Sequence, residues 1–152
     1  AFYLPALLAS ENDFNAYYLT GQRRDLNREK FKLEKVLEML EDQSSFASTN
    51  LRILNKAMEI RGKTVEFHPD SPMKSLSESS NSIVVIQRGS APSEVLTIHN
   101  MTSSIQKFEP SIQSYQRRKI KPFMYYDLLS DKKYTEYIIE LKPYEVLWLK
   151  SI

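Results

Sequence analysis

The chain has 152 residues, with 21 Lys and Arg against 19 Asp and Glu for a net charge of +2, 41% hydrophobic residues, seven prolines and no cysteine. These values fit one average globular domain or two small ones, and they exclude a disulfide framework, a thiolate metal site, a cysteine nucleophile and the positive field that concentrates nucleic acid. No apolar run approaches the roughly 18 residues of a membrane-spanning helix, so the composition leads to the expectation of a cytoplasmic protein with no membrane and no nucleic-acid partner.

Residues 1–9, from Ala1-Phe2-Tyr3-Leu4-Pro5 to Ala9, are continuously apolar and uncharged. Such a run reads as a strand buried on both faces, as in the parallel sheets of α/β folds. It carries no initiator Met, N-cap or basic leader, so it reads as the interior of a larger domain. Residues 10–27 read as a polar loop. Over residues 28–41 the period becomes helical, with Phe31, Leu33, Val36, Leu37 and Leu40 on one side and Asp25 or Asn27 as a candidate N-cap. Residues 43–50 break the pattern, and Leu51, Leu54, Met58 and Arg61 mark a second helix over 51–61 that Gly62 is expected to stop.

From Thr64 the grammar changes. Residues 63–72 form a connector with two prolines, Pro69 and Pro72. Beyond it, short β-branched and aromatic runs alternate with turn clusters, predicting strands at 73–76, 82–88, 94–100, 104–108, 123–128, 134–141 and 145–149. Strands at this spacing without intervening helices indicate an antiparallel sandwich over residues 73–152. Alternation places Val84, Ile86, Leu96, Ile98, Ile138, Val146 and Trp148 inward. Residues 110–122 read as a surface loop, and the serines of 75–82 as a hairpin connection.

His68-Pro69-Asp70 is the tripeptide of J-domain cochaperones, but a strand is predicted where those domains need a second helix, so the match fails on context. His99 has no second histidine or clustered carboxylate at ligand spacing, which argues against a metal site. Arg117, Arg118, Lys119 and Lys121 lie near Tyr115, Phe123, Tyr125 and Tyr126, a composition shared with surfaces that stack bases; without positive charge elsewhere the simpler reading is a solvated face. With three glycines in the chain, no Walker loop, dinucleotide fingerprint or nucleophile elbow is present. Glycoside chemistry needs two facing carboxylates, and Asp13, Asp25 and Glu29 share one loop with no opposite wall. No catalytic residue and no cofactor is expected in this chain.

One group in that loop bears on function. Arg23, Arg24 and Arg28 surround Asp25 and Asn27, and the planar fork of an arginine donates in parallel to two neighbouring oxygens, such as adjacent sugar hydroxyls. The same residues are equally well read as a helix N-terminus with ordinary ion pairs.

Phe2-Tyr3-Leu4-Pro5-Ala6-Leu7-Leu8, Asn12-Asp13, Thr20-Gly21 and Arg24-Asp25-Leu26-Asn27-Arg28-Glu29-Lys30, taken in this order, resemble a segment of the sucrose phosphorylase-like branch of the α-amylase superfamily: its eighth barrel strand and the following loop. The resemblance continues through Ile60-Arg61, Phe67-His68-Pro69-Asp70, Val84 to Arg88, Leu96 to Asn100 and Tyr126 to Ser130. It closes on Leu141-Lys142-Pro143-Tyr144-Glu145-Val146-Leu147-Trp148-Leu149, similar to the end of the superfamily's C-terminal β domain. Residues 111–121 follow no pattern of that branch.

The resemblance implies an α+β chain. Residues 1–62 would be the last strand, loop and helices of a (β/α)8 barrel, 63–72 a connector and 73–152 an antiparallel β-sandwich C-terminal domain. It implies a retaining α-glucoside phosphorylase as the parent, acting on an α-glucoside and phosphate through an Asp nucleophile, a Glu acid/base and a second Asp; no position here matches these three. Carried over by residue, Arg28 would contact glucosyl hydroxyls, and Asn27 would stand beside it as a second substrate-binding residue. As an unpaired apolar strand, residues 1–9 would either self-associate or be left disordered. The alternative is a free-standing β-sandwich carbohydrate-binding or interaction module without catalysis.

Overall fold

The computed structural model describes residues 3–76, 81–90, 92–110 and 124–151. The expected loop at 110–122, with its basic cluster, and the middle of the serine-rich connection therefore lie outside the described residues, apart from Pro110. The chain divides into two compact units, Ala1–Glu59 and Ile60–Ile152.

The first unit is helical. The apolar opening is not a strand: Leu4–Leu7 forms a single helical turn, α1, with Pro5 in its first turn. A strand needs neighbours for its N–H and C=O groups, and among the described residues none pairs with this segment. A helix satisfies those groups locally, and proline at the first turn gives up no needed donor. The segment thus presents no strand edge of the kind that templates association. The expected loop at 10–27 holds a second helix, α2 (Phe14–Thr20), and a 3₁₀ turn at Arg23–Asn27. Helix α3 spans Leu33–Glu41, starting five residues later than its periodicity suggests, and its N-cap is Lys32, not Asp25 or Asn27.

Helix α4 spans Phe46–Lys63. It begins inside the stretch expected to break the pattern because Ser45 acts as a cap: its hydroxyl accepts the Ser48 amide at 3.0 Å and donates to the Met39 carbonyl. In the turn before it, the Ser44 hydroxyl and amide both donate to Asp42 and hold its carboxyl below the usual aspartate range. The Asn50 amide donates to the carbonyls of Ala6 and Leu7, each at 2.9 Å, and so closes the C-terminus of α1. Gly62 does not stop the helix; it lies in its last turn, which ends where Thr64 folds its hydroxyl back onto the Ile60 carbonyl.

The second unit is an antiparallel β domain. Strands β1 (Met73–Leu76), β2 (Ile83–Ser90), β3 (Ser93–Asn100), β4 (Gln106–Phe108), β5 (Tyr125–Asp127), β6 (Lys133–Tyr134), β7 (Ile139–Leu141) and β8 (Val146–Ser151) follow in chain order. They form a six-stranded sheet ordered β1-β2-β3-β8-β5-β6 and a two-stranded sheet, β4-β7. Every pairing is antiparallel. The strand expected at 134–141 is two strands. Its middle is exposed, and its ends join different sheets, so the chain crosses from one layer to the other there.

The core is built from one face of the large sheet and the small sheet over it. Val85, Ile98 and Leu147 form a row across β2, β3 and β8; Leu96 and Leu149 pair in the next, and Phe108, Ile139 and Leu141 come from the second layer. Leu96 and Ile98 are inward as expected, whereas Val84, Ile138 and Val146 are exposed and Ile86 and Trp148 half-buried. The reason is register. β2 and β8 carry large apolar residues on both faces, so alternation alone does not choose a side, and a shift of one residue inverts the set. Two buried polar side chains staple the loops. The Asp127 carboxylate accepts the Trp148 amide at 2.8 Å and the amides of Leu129 and Ser130. Asn100 donates to the Ser104 and Lys142 carbonyls and accepts from Thr102.

The 3₁₀ turn Val65–Phe67 lies against the opposite face, its Glu66 and Phe67 buried and the Phe67 ring 4.7 Å from that of Trp148. Gly89, with φ of +75°, closes the approach: a Cβ there would stand 2.6 Å from the Ser93 carbonyl oxygen and 2.9 Å from Cγ of Glu66. Gly89→Ala is therefore expected to destabilise the β domain by about 2–4 kcal/mol. Gly62→Ala, whose Cβ meets nothing within 4 Å, is expected to stabilise by about 0.5–1 kcal/mol. Denaturant titration of the two variants checks both signs, and a neutral Gly89→Ala would contradict the packing described.

Candidate functional site

The loop that carries Asn27 and Arg28 is held by a short, well-terminated helix. Asp13 caps α2, its carboxylate accepting the Ala16 amide at 2.9 Å, and Gly21 closes the other end in the left-handed conformation with its amide on the Tyr17 carbonyl at 2.8 Å. The Asp13 amide in turn donates to the Leu26 carbonyl, which ties the start of α2 to the 3₁₀ turn. Across this closed loop the Thr20 hydroxyl donates to Asp25 at 2.7 Å, and the Gln22 amide donates to the Thr20 hydroxyl. Asp25 is thereby occupied by Thr20, and its nearest cation, the Arg24 guanidinium, stands 3.9 Å away.

Arg28 follows the turn, its amide donating to the Asp25 carbonyl at 3.4 Å. Its neighbour Glu29 pairs with Lys35 at 3.1 Å. Among the described residues, the Arg28 guanidinium and the Asn27 amide have no side-chain partner, and both residues are exposed. Of the ion pairs expected in the cluster, the described residues show Arg24 with Asp25 and none at Arg28. Arg28 precedes α3 by five residues and does not cap it; its five donors are open. Arg23 and Arg24 are exposed as well.

Beside this loop lies a cleft of about 570 Å³, lined by Leu8, Ser10, Asp13, Glu29, Phe31 and Lys35 among others. Neither Asn27 nor Arg28 lines it. Its carboxylates, Glu11, Asp13 and Glu29, come from one short stretch of chain; Asp13 is engaged as a cap and Glu29 in an ion pair. No facing pair is free to act as acid and nucleophile. Among the described residues, no three His, Asp or Glu side chains cluster to hold a metal ion, and no helix is long and apolar enough to cross a membrane. His99 stands between Val84 and Val146 on the sheet face, and burial lowers its pKa by disfavouring the charged ring. His68 and Asp70 are exposed, 3.6 Å apart.

No protein-family model matches the chain. It is 26% identical over 151 residues to the glucosylglycerate phosphorylase of Escherichia coli (strain K12), a match covering 99% of this chain and 25% of the relative. It is 31% identical over 156 residues to that of Spirochaeta thermophila, covering 97% of this chain and 26% of the relative. Solved structures share the fold at lower identity. The trehalulose synthase MutB of Pseudomonas mesoacidophila MX-45 superposes with a TM-score of 0.56 at 13% identity over 76% of this chain and 19% of its own. AmyP E221Q in complex with maltotriose gives 0.58 at 12% identity over 72% and 22%.

The chain resembles the sucrose phosphorylase-like branch of the α-amylase superfamily.

The antiparallel sheet and the helices before it match the C-terminal part of enzymes of that superfamily. The chain spans about a quarter of the length of the curated relatives it matches. What sequence reasoning missed is the support of the loop. The Asp13 and Gly21 that bound α2 are visible as a cap and a stop, but seven residues are too few for a period. The Thr20–Asp25 bond has no local signal.

Because α2 and its cap hold this loop, Asp13→Ala is expected to cost the helix about 1 kcal/mol and to speed exchange of the Ala16 amide about fivefold. Residue-resolved hydrogen exchange reads this directly; unchanged exchange at Ala16 would show that the cap contributes nothing.

Proposed function

We propose that this chain is the C-terminal portion of a retaining α-glucoside phosphorylase that transfers a glucosyl unit to phosphate, and that it contributes Arg28 to substrate binding. The observation that carries the reading is the match of 151 residues, nearly the whole chain, to a glucosylglycerate phosphorylase. All three curated relatives bear that name, which supports glucosylglycerate as the glucoside.

In a retaining mechanism two carboxyl groups roughly 5–5.5 Å apart flank the scissile bond. One attacks the anomeric carbon while the other protonates the leaving oxygen; phosphate then displaces the carboxylate to give glucose 1-phosphate. In the cleft beside the loop, Asp13 is engaged as a cap and Glu29 in an ion pair, and we assign the acid and nucleophile to the part of the enzyme that these residues do not span. The role left to Arg28 is to hold. Its open fork donates two parallel hydrogen bonds to adjacent glucosyl hydroxyls and orients the sugar against the reacting carboxylates. Asn27, adjacent and equally open, adds a donor and an acceptor.

The burial pattern supports a portion of a larger domain over a free-standing module. Among the described residues of the first unit only Leu8 and Ala47 are buried, while Tyr18, Leu19 and Phe46 are 76%, 87% and 87% exposed. Covering one such side chain stabilises by roughly 1.5–3 kcal/mol. The remainder of a barrel is the surface we assign to that task.

In the complete enzyme, Arg28→Ala is expected to lower kcat/KM for the glucoside by about 2–4 kcal/mol in barrier, the scale of losing a charged hydrogen bond and leaving its partners unpaired. Arg28→Lys is expected to recover little of this, since an ammonium lacks the fork. The purified chain alone is expected to release no glucose 1-phosphate. Steady-state kinetics with glucosylglycerate and phosphate decide the matter: near-normal turnover in Arg28→Ala removes the arginine from the site, and release by the isolated chain overturns the division of labour.

A further inference from the structure

Residues 64–72 are fastened to the large sheet around one buried acid. The Glu66 side chain is 2% exposed and pairs with Lys150 of β8 at 2.8 Å. The same oxygen, Oε1, accepts the Ser93 hydroxyl of β3. Its other oxygen, Oε2, is buried with no partner. Arg88 of β2 grips the backbone of the segment, donating to the carbonyls of Glu66 at 3.3 Å and His68 at 2.7 Å. The Gly89 amide donates to the Pro72 carbonyl at 2.8 Å.

We propose that Glu66 is an acid-sensitive latch: as a carboxylate it holds residues 64–72 on β2, β3 and β8, and on protonation it releases that segment while the sheet stays folded.

The argument is one of satisfaction. A buried charge is tolerated only where it is paired, and this one relies on a single cation and a single hydroxyl for half its acceptor capacity. The cation is free to leave, since the Lys150 side chain is 35% exposed and reaches water. Once Glu66 is neutral, the attraction to Lys150 is gone. Release removes the cover from one face only; the core cluster on the other face and the strand pairing keep the sheet folded.

The remaining charged groups around Glu66 do not substitute for it. Arg88 keeps its charge at any working pH and binds backbone, not the carboxylate. Glu94 on β3 accepts from Gln87. Tyr126 of β5, paired in register with Lys150, donates to Asp131. His68 and Asp70, on the segment itself, are exposed. Burial pushes the Glu66 carboxyl up, but hydrogen bonds from Lys150 and Ser93 outweigh it and hold the group below the usual glutamate range. The latch is therefore complete above that range and is lost as pH falls through the lowered value of the folded state.

The molecule carries its own reporters. Trp148, the only tryptophan, is packed by the tilted ring of Phe67, so release exposes the indole. The Gly89 amide loses its acceptor at the same moment. Acid titration of the full chain, followed by Trp148 emission, far-ultraviolet dichroism and exchange at Gly89, tests the proposal. Wild type is expected to show a red shift of emission at a pH where the β signal is intact. Glu66→Gln is expected to be red-shifted already at neutral pH, without the acid step, and to exchange Gly89 about tenfold faster. Should that variant fail to fold, Lys150→Gln decides: stripping the cation raises the Glu66 pKa, so the emission step is expected to move up by about one pH unit or more. Coincident loss of emission and β signal in wild type, an acid step retained in Glu66→Gln, or an unmoved midpoint in Lys150→Gln would each overturn the latch.

Discussion

The pairing of β3 with β2 and β8 over the core cluster is the constraint on which the second unit depends. Val95, Leu96, Thr97 and Ile98 are buried in succession, which requires a layer above the strand and a layer below it. Above lie β4 and β7, with Phe108, Ile139 and Leu141 filling the core. On the other face, residues 65–67 bring Phe67 to Trp148 and Glu66 to Lys150 and Ser93. A central strand covered twice has no edge and almost no water, so its pairing with β2 and β8 sets the register of the whole sheet.

The first unit obeys the opposite arithmetic. Its helices are individually well made, with an aspartate cap on α2, a serine cap on α4 and an asparagine closing α1, and each cap is worth on the order of 1 kcal/mol. Caps define ends; they do not supply a core. With two described residues buried, the unit has local order and little to hold it as a body. This matters for the proposed role because Arg28 stands on that unit. A sugar-binding fork must be held still to be useful, and the rigidity that the proposed role demands comes from whatever covers the apolar sides of these helices. The proposed role and the burial pattern share one requirement: a further surface against the apolar sides of these helices.

The sheet was the legible part of the sequence. Turn clusters and β-branched runs located most of its strands within a few residues, because strand propensity and turn chemistry are local. Facing was not legible. Ile83-Val84-Val85-Ile86 and Val146-Leu147-Trp148-Leu149 suit either side, and only pairing with β3 chooses. The apolar opening misled for a related reason: Tyr3 to Leu8 fits a buried strand or a helix equally, and the absence of a described pairing partner decided for the turn of helix with Pro5 near its start. Asn27 and Arg28 were singled out by resemblance and by the chemistry of a guanidinium, while the Thr20–Asp25 bond that leaves Arg28 unpaired joins residues that sequence spacing does not relate. Glu66 gave no signal at all. Between Val65 and Phe67 it reads as a surface acid, and its partners lie on strands far along the chain.

The central claim is that this chain holds one self-sufficient core, in the sheet, and a helical unit that needs another surface. Residue-resolved hydrogen exchange on the isolated chain tests it most directly. The account predicts that amides in β2, β3 and β8 exchange only through global unfolding, while those of α2 and α3 exchange at least about a hundredfold faster through local opening. Equal protection of the helices and the sheet would contradict it, and would mean that the first unit is stable without a further surface.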